Sequence, residues 1–301
     1  MTPPNTPAVP AADLDLEEIG ARTGLLDTAT EAAGHKLPQV TLLFWVLKIA
    51  ATTLGETGGD MFAQTLKFGY FLSTIALFAI FVLSLVAQLR SRSYHPAFYW
   101  TVILTTSMAG TTISDFMNRD TSYLAPGTAS LGWGPQGLGI GYPVGAAILS
   151  AMLLATFAVW RATGHPFALG RITGFRAEVL FWTAILISNT LGTSVGDFLS
   201  DSSGLGYAGG AALIAAVLAV IAALYKVPAV SNVVLFWAAF VLTRPLGATV
   251  GDFFTKPVVK GGLGLGTYGA SAVLLVILLA GIGHLTLQQR QRREAPTPVA
   301  A

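Results

Sequence analysis

The chain has 301 residues, 53% of them hydrophobic and only 11% charged, with a formal net charge of +2 and a mean hydropathy of +0.65. That balance is too apolar for an ordinary water-soluble domain and makes lipid the expected solvent. No cysteine is present, which excludes disulfides and thiolate metal sites.

Residues 1–38 are rich in Pro and Ala and then acidic (Asp13, Asp15, Glu17, Glu18), with no basic segment followed by an apolar run. They read as a disordered cytosolic tail rather than a signal peptide. A short amphipathic segment from Leu14 to Leu26 is the competing reading. Eight apolar stretches follow, near 39–60, 69–89, 96–117, 139–160, 178–199, 207–225, 232–254 and 268–287. Each is long enough to cross a hydrocarbon core of about 30 Å as a helix, and each is continuous rather than alternating, which argues against a barrel. The predicted fold is therefore all-α, a polytopic bundle of eight transmembrane helices. It divides into a first membrane half at 39–165, a cytosolic linker at 166–177, a second half at 178–287 and a basic cytosolic tail at 288–301.

An even number of crossings puts both termini on one side. Arg90, Arg92, Arg161, Arg171, Arg176, Lys226, Arg290, Arg292 and Arg293 fall there, against only Lys67, Arg119, Lys256 and Lys260 opposite. Because Lys and Arg accumulate in cytoplasmic loops, both termini are expected in the cytoplasm and the protein in the inner membrane.

The odd-numbered helices carry a repeat. Phe44-Trp45, Tyr99-Trp100, Phe181-Trp182 and Phe236-Trp237 are each followed, ten residues after the Trp, by Gly55, Gly110, Gly192 and Gly247. Twelve residues after the Trp stand Thr57, Thr112, Ser194 and Thr249; fifteen after it stand Asp60, Asp115, Asp197 and Asp252. A second helix then opens with Gly69-Tyr70, Gly141-Tyr142, Gly206-Tyr207 or Gly266-Thr267-Tyr268. The Trp residues are 55 apart within each half and the halves are offset by 137. Four parallel two-helix repeats, arranged as two duplicated halves, account for this register.

An Asp fifteen residues after its Trp lies about 22 Å further along the helix. With the Trp marking the cytoplasmic interface, the four carboxylates fall in the outer half of the membrane. Positions eight, twelve and fifteen after the Trp share a helical face, so Thr53, Thr57 and Asp60 line up, as do Thr190, Ser194 and Asp197. Hydroxyls and carboxylates beside close-packing glycines supply hard oxygen ligands suited to Mg²⁺, Ca²⁺, Mn²⁺ or protons. The plainer reading is that each Asp caps a loop and the small residues only pack helices.

The copies also differ. Glu56 stands one turn from Asp60 in the first repeat only, and two carboxylates so close need a shared cation or a proton; Glu56 and Asp60 are the expected metal ligands. Asn189 and Arg244 share a repeat position with Thr52 and Ser107. Arg244, mid-helix before Pro245, should pair with a carboxylate of another repeat, as a static ion pair or as a gating counter-charge. Pro245 should bend its helix. Lys48 is expected to snorkel to the cytoplasmic end, and His95, His165 and His284 to lie at the interface.

No nucleotide fingerprint, phosphate loop, nucleophile elbow or zinc-protease helix appears, so neither an enzyme, a cofactor nor a nucleic-acid partner is expected. The expected partners are the bilayer, a small cation and protons. The leading expectation is a transporter of a small cation, with Mn²⁺ favoured and proton antiport as the coupling. The alternatives are a non-transporting scaffold or sensor, and an organic-solute carrier that reads a carboxylate with Arg244.

The repeated string, as in Gly192-Thr193-Ser194-Val195-Gly196-Asp197-Phe198 and Gly247-Ala248-Thr249-Val250-Gly251-Asp252-Phe253, resembles a family of bacterial membrane proteins described by a fourfold repeat of unknown function. The resemblance spans roughly residues 39–287 and implies the membrane architecture rather than a mechanism. A narrower likeness is to manganese and calcium exporters with a Glu-x-Gly-Asp motif; here Glu56 to Asp60 has one residue more, and the other copies lack the Glu.

Overall fold

The computed structural model of the protein describes residues 37–91, 93–119, 137–169, 172 and 174–294. The readings made for residues 1–36 and 295–301, and Arg92 and Arg171 of the loop-charge argument, lie outside the described residues. Among the described residues there are eight long helices and no strand: α1 Leu42–Asp60, α2 Gly69–Arg90, α3 Pro96–Asn118, α4 Tyr142–Ala162, α5 Phe175–Asp197, α6 Gly206–Leu224, α7 Asn232–Thr255 and α8 Gly266–Glu294. Helix starts follow local chemistry. Thr41 caps α1 by accepting from the Phe44 N–H at 3.2 Å, and Pro96 opens α3 at a position that needs no N–H donor. The glycine that opens each even-numbered helix has φ between +67° and +83°, a conformation a side chain would strain.

The odd-numbered helices form an inner ring in the order α1, α3, α5, α7, with α7 packing back on α1. Each even-numbered helix packs outside the ring on the following repeat: α2 on α3, α4 on α5, α6 on α7, and α8 on α1. Every outer helix thus covers a repeat other than its own, and the last closes on the first. The burial pattern separates the two layers. The spans of α2, α4, α6 and α8 have only 17–22% of their residues buried, against 72% for α5 and 50% for α7. Their exposed faces are apolar, as at Ile75, Leu83, Leu154, Val220 and Val276, which is the surface that lipid solvates.

Six helices, α2 and α4 to α8, are long and apolar enough to cross a membrane. The α1 and α3 helices are long enough but carry more polar residues, among them Lys48, Glu56 and Asp60 in α1 and a run of Thr and Ser in α3. Almost all of these polar side chains are buried inside the bundle, so the two helices do not need an apolar sequence to sit among the other six.

The repeated residues assemble the ring. At one end, the ring preceding each Trp meets the Trp of the next repeat: Phe44 with Trp100, Tyr99 with Trp182, Phe181 with Trp237 and Phe236 with Trp45, at centroid separations of 5.7, 5.7, 5.9 and 5.8 Å. Halfway along, each repeated glycine admits the side chain seven residues after the next repeat's Trp: Gly55 faces Ser107, Gly110 faces Asn189, Gly192 faces Arg244 and Gly247 faces Thr52. A Cβ at these glycines would overlap its neighbour, so close helix approach is what they provide. Both ladders are cyclic and in the same register, as four parallel helices around one axis require.

Trp100 and Trp182 are fully buried and Trp237 nearly so, because each packs against the next repeat, and together they form an internal aromatic belt. One expectation is corrected here. Lys48 does not snorkel: it is wholly buried, with Nζ 4.1 Å from the centre of the Phe240 ring. Pro245 lies inside α7, which continues through it to Thr255.

Candidate cation site

The chemistry gathers at the end of the ring opposite the aromatic belt. Helices α1 and α5 end at Asp60 and Asp197 and continue into single π-helical turns, Met61–Thr65 and Phe198–Ser202. Helices α3 and α7 instead end in Arg119 and Lys256, one turn beyond Asp115 and Asp252, whose carbonyls accept the Arg119 and Lys256 N–H groups at 2.9 and 2.8 Å. The two halves are therefore alike, and each places one base at the end of its second inner helix.

Those bases join neighbouring repeats. Arg119 Nε donates to Asp115 at 2.6 Å and its Nη2 to Asp197 at 3.0 Å, with Nη1 3.9 Å from Asp201. Lys256 Nζ donates to Asp60 at 2.9 Å and lies 3.0 Å from Asp252. Gln64 also donates to Asp60. Burial works against the charge of each base, but the paired carboxylates outweigh it and hold the pKa of both Arg119 and Lys256 well above the ordinary value. Sequence reasoning took these two residues only as loop charges. Their signal was present: they are separated by the 137 residues that relate the halves, and each stands four residues after a repeated Asp, where i and i+4 side chains meet.

One layer deeper, Arg244 crosses the ring axis. Its Nη2 donates to Glu56 at 3.0 Å, to Thr193 at 2.7 Å, to Thr111 and to the Ser107 carbonyl, while Nη1 reaches the Thr52 carbonyl. One guanidinium thus ties all four inner helices, and its carboxylate partner is Glu56. Thr111 and Thr193 stand at the repeat position of Glu56 and donate to its Oε2 at 3.2 and 3.5 Å.

Above this layer three carboxylates converge. Glu56, Asp197 and Asp252 each offer an oxygen, and these oxygens lie within 4.8 Å of one another, all buried. Asp197 Oδ1 and both Asp252 oxygens have no hydrogen-bond partner within the protein, and neither has Asp115 Oδ2. The 3.0 Å approach of Lys256 to Asp252 is therefore an ion pair without hydrogen-bond alignment. Buried carboxylate oxygens without donors are costly, and a convergent set of carboxylates that includes them could ligate a cation that prefers oxygen.

The other expected site residues are placed as follows. Asp60 is held by Gln64 and Lys256, and Asp115 by Arg119; neither belongs to the convergent trio. The hydroxyls twelve residues after each Trp turn away from the axis. Thr57 accepts from Ser271 of α8 at 2.8 Å, Ser194 meets Ser114 and Asn118, and Thr112 and Thr249 donate to carbonyls of their own helices. Asn189 is on the axial side, wholly buried, with neither amide atom partnered. A cavity of about 790 Å³ lies at the aromatic end, lined by residues such as Trp45, Phe167, Tyr225 and Phe236, with no charged side chain. It is apolar and stands apart from the carboxylates.

A family model described as a Repeat of Unknown Function (DUF347) matches the chain four times, over residues 43–94, 98–165, 180–230 and 235–291. No curated protein and no solved structure matches the chain. The likeness to manganese and calcium exporters finds no support in these comparisons.

Proposed function

The chain belongs to that repeat family, whose description assigns no activity, and on this premise we propose that the protein is a membrane transporter of a small cation, with a divalent metal as cargo. The observation that carries the reading is the convergence of the buried Glu56, Asp197 and Asp252 carboxylates, with Asp197 Oδ1 and both Asp252 oxygens partnerless. Intramembrane carboxylates are expensive to keep and mark ion pathways. Carboxylate, hydroxyl and amide oxygens suit hard cations, so Mn²⁺ and Mg²⁺ are the ions to test first, with proton antiport as the coupling. In this reading all eight helices cross the inner membrane, α1 and α3 sheltered by the rest, and both termini are cytoplasmic. Arg244 and Glu56 form the layer that closes the axis beneath the site. The reading includes no enzymatic step. An organic-solute carrier fits less well, because the Arg244 guanidinium is already engaged by Glu56, Thr111 and Thr193.

The test is Mn²⁺ uptake into proteoliposomes under an imposed pH gradient, comparing wild type with Glu56→Gln, Asp197→Asn and Asp252→Asn. Wild-type flux that falls at least about tenfold in each variant, with the protein still folded, is expected, since each removes one charged ligand of three. Undiminished flux in all three would sink the site. No flux in any sample with verified insertion would favour a scaffold in which the Arg244–Glu56 pair braces the ring.

A further inference from the structure

The two halves hold their carboxylates with different chemistry. Arg119 grips Asp115 and Asp197 through two separate nitrogens of a planar fork, at 2.6 and 3.0 Å. Lys256 offers a point charge on a flexible stem, 2.9 Å from Asp60 and 3.0 Å from Asp252; its side chain is 19% exposed and that of Arg119 23%, so what separates the two bases is the flexible stem and single charge of the lysine, not their access to solvent. Asp252 is the residue caught between. Its oxygens have no aligned hydrogen bond even with the ammonium beside them, and one of them also faces Glu56 and Asp197.

Resting on the cation reading above, we infer that Lys256 is a tethered counter-ion: its ammonium neutralises Asp252 and Asp60 in the empty site and withdraws towards solvent when a divalent cation takes Asp252 together with Glu56 and Asp197. Arg119 stays in place in both states, because releasing it breaks two aligned charge-assisted bonds at once. The pseudo-twofold protein is thus functionally lopsided, with one half a fixed brace and the other an exchangeable charge. Lys256 acts as a positioning residue that sets cation affinity by competing for a ligand.

The experiment is calorimetric titration of the purified full-length protein with Mn²⁺, comparing wild type, Lys256→Met, Lys256→Arg and Glu56→Gln. Removing the competing charge should tighten Mn²⁺ binding by about tenfold or more, and a fork that locks both carboxylates should weaken it by about tenfold. Lys256→Met should also have the lower thermal midpoint without Mn²⁺ and the larger rise with it, which a mere brace does not produce. Equal affinity across wild type and both Lys256 variants, or weaker binding in a folded Lys256→Met, overturns the tethered counter-ion and leaves the cation site standing. Should Lys256→Met not fold, unchanged affinity in Lys256→Arg overturns it alone. Absence of Mn²⁺ binding in every folded sample, with Glu56→Gln no different from wild type, overturns the cation reading itself.

Discussion

Lys48 illustrates how much one residue's setting is decided by its neighbours. Its ammonium is buried with no hydrogen-bond partner, and the attraction it retains is the face of Phe240 at 4.1 Å. A cation–π contact of this kind recovers about 2 kcal/mol when desolvated, less than the several kcal/mol that removal from water costs. Lys48→Met, similar in shape and uncharged, should therefore leave stability unchanged or raise it by up to about 4 kcal/mol. Thermal unfolding in detergent reads the change; a marked fall would reveal a charge partner for Lys48. Arg244 is the opposite case, a buried cation whose guanidinium meets a carboxylate, hydroxyls and carbonyls from other helices, so that its burial is compensated.

Between elements, the glycines decide how closely the helices approach. Around Gly247 an added methyl would meet Thr52 Oγ1 at 2.6 Å and the Thr52 carbonyl carbon at 2.8 Å, on the adjoining helix. Gly247→Ala should cost about 1–3 kcal/mol through that overlap. Gly283 in α8 has open space where its methyl would stand, so Gly283→Ala should hold or raise the unfolding midpoint, by the helix propensity of up to about 1 kcal/mol that Ala has over Gly. Equal effects of the two substitutions would mean that the inner helices can separate without cost. The glycine repeat was legible in the sequence, as was its match to packing. The face that lines the axis was not. The hydroxyls twelve residues after each Trp repeat faithfully, yet they bond to neighbouring or outer helices or back to their own carbonyls. The axis is lined from positions seven and eleven, where the repeats differ in charge and polarity: Thr52, Ser107, Asn189 and Arg244, then Glu56, Thr111, Thr193 and Ala248. One residue along a helix rotates a side chain by about 100°, and only the packed neighbours choose among such rotations.

For the molecule as a whole, the closing contact is α8 against α1, which joins the last repeat to the first. Thr65 and Thr267 meet there, hydroxyl to hydroxyl, at 2.7 Å near an exposed end of the bundle. The chain has no cysteine of its own, so Thr65→Cys combined with Thr267→Cys gives a cross-linking test without background. Mild oxidation should convert most of the double variant to a species of altered mobility on denaturing gels, restored by reductant. Failure to cross-link, with each single variant reacting freely with a thiol reagent, would mean that α8 does not close the ring.

By itself the sequence determined the fold class, the four copies and their parallel sense, because an aromatic-Trp, Gly, hydroxyl and Asp string kept in one register is a one-dimensional pattern that survives without knowledge of neighbours. It also singled out Glu56 and Arg244 as departures from that register. Only the tertiary structure decided that these two pair, that Glu56 converges with Asp197 and Asp252 rather than with its sequence neighbour Asp60, and that Arg119 and Lys256 bridge successive repeats. Those partnerships join helices from different repeats. They depend on the cyclic order and rotation of the inner helices, which are set by aromatic and glycine packing around a common axis and are written in no single stretch of chain.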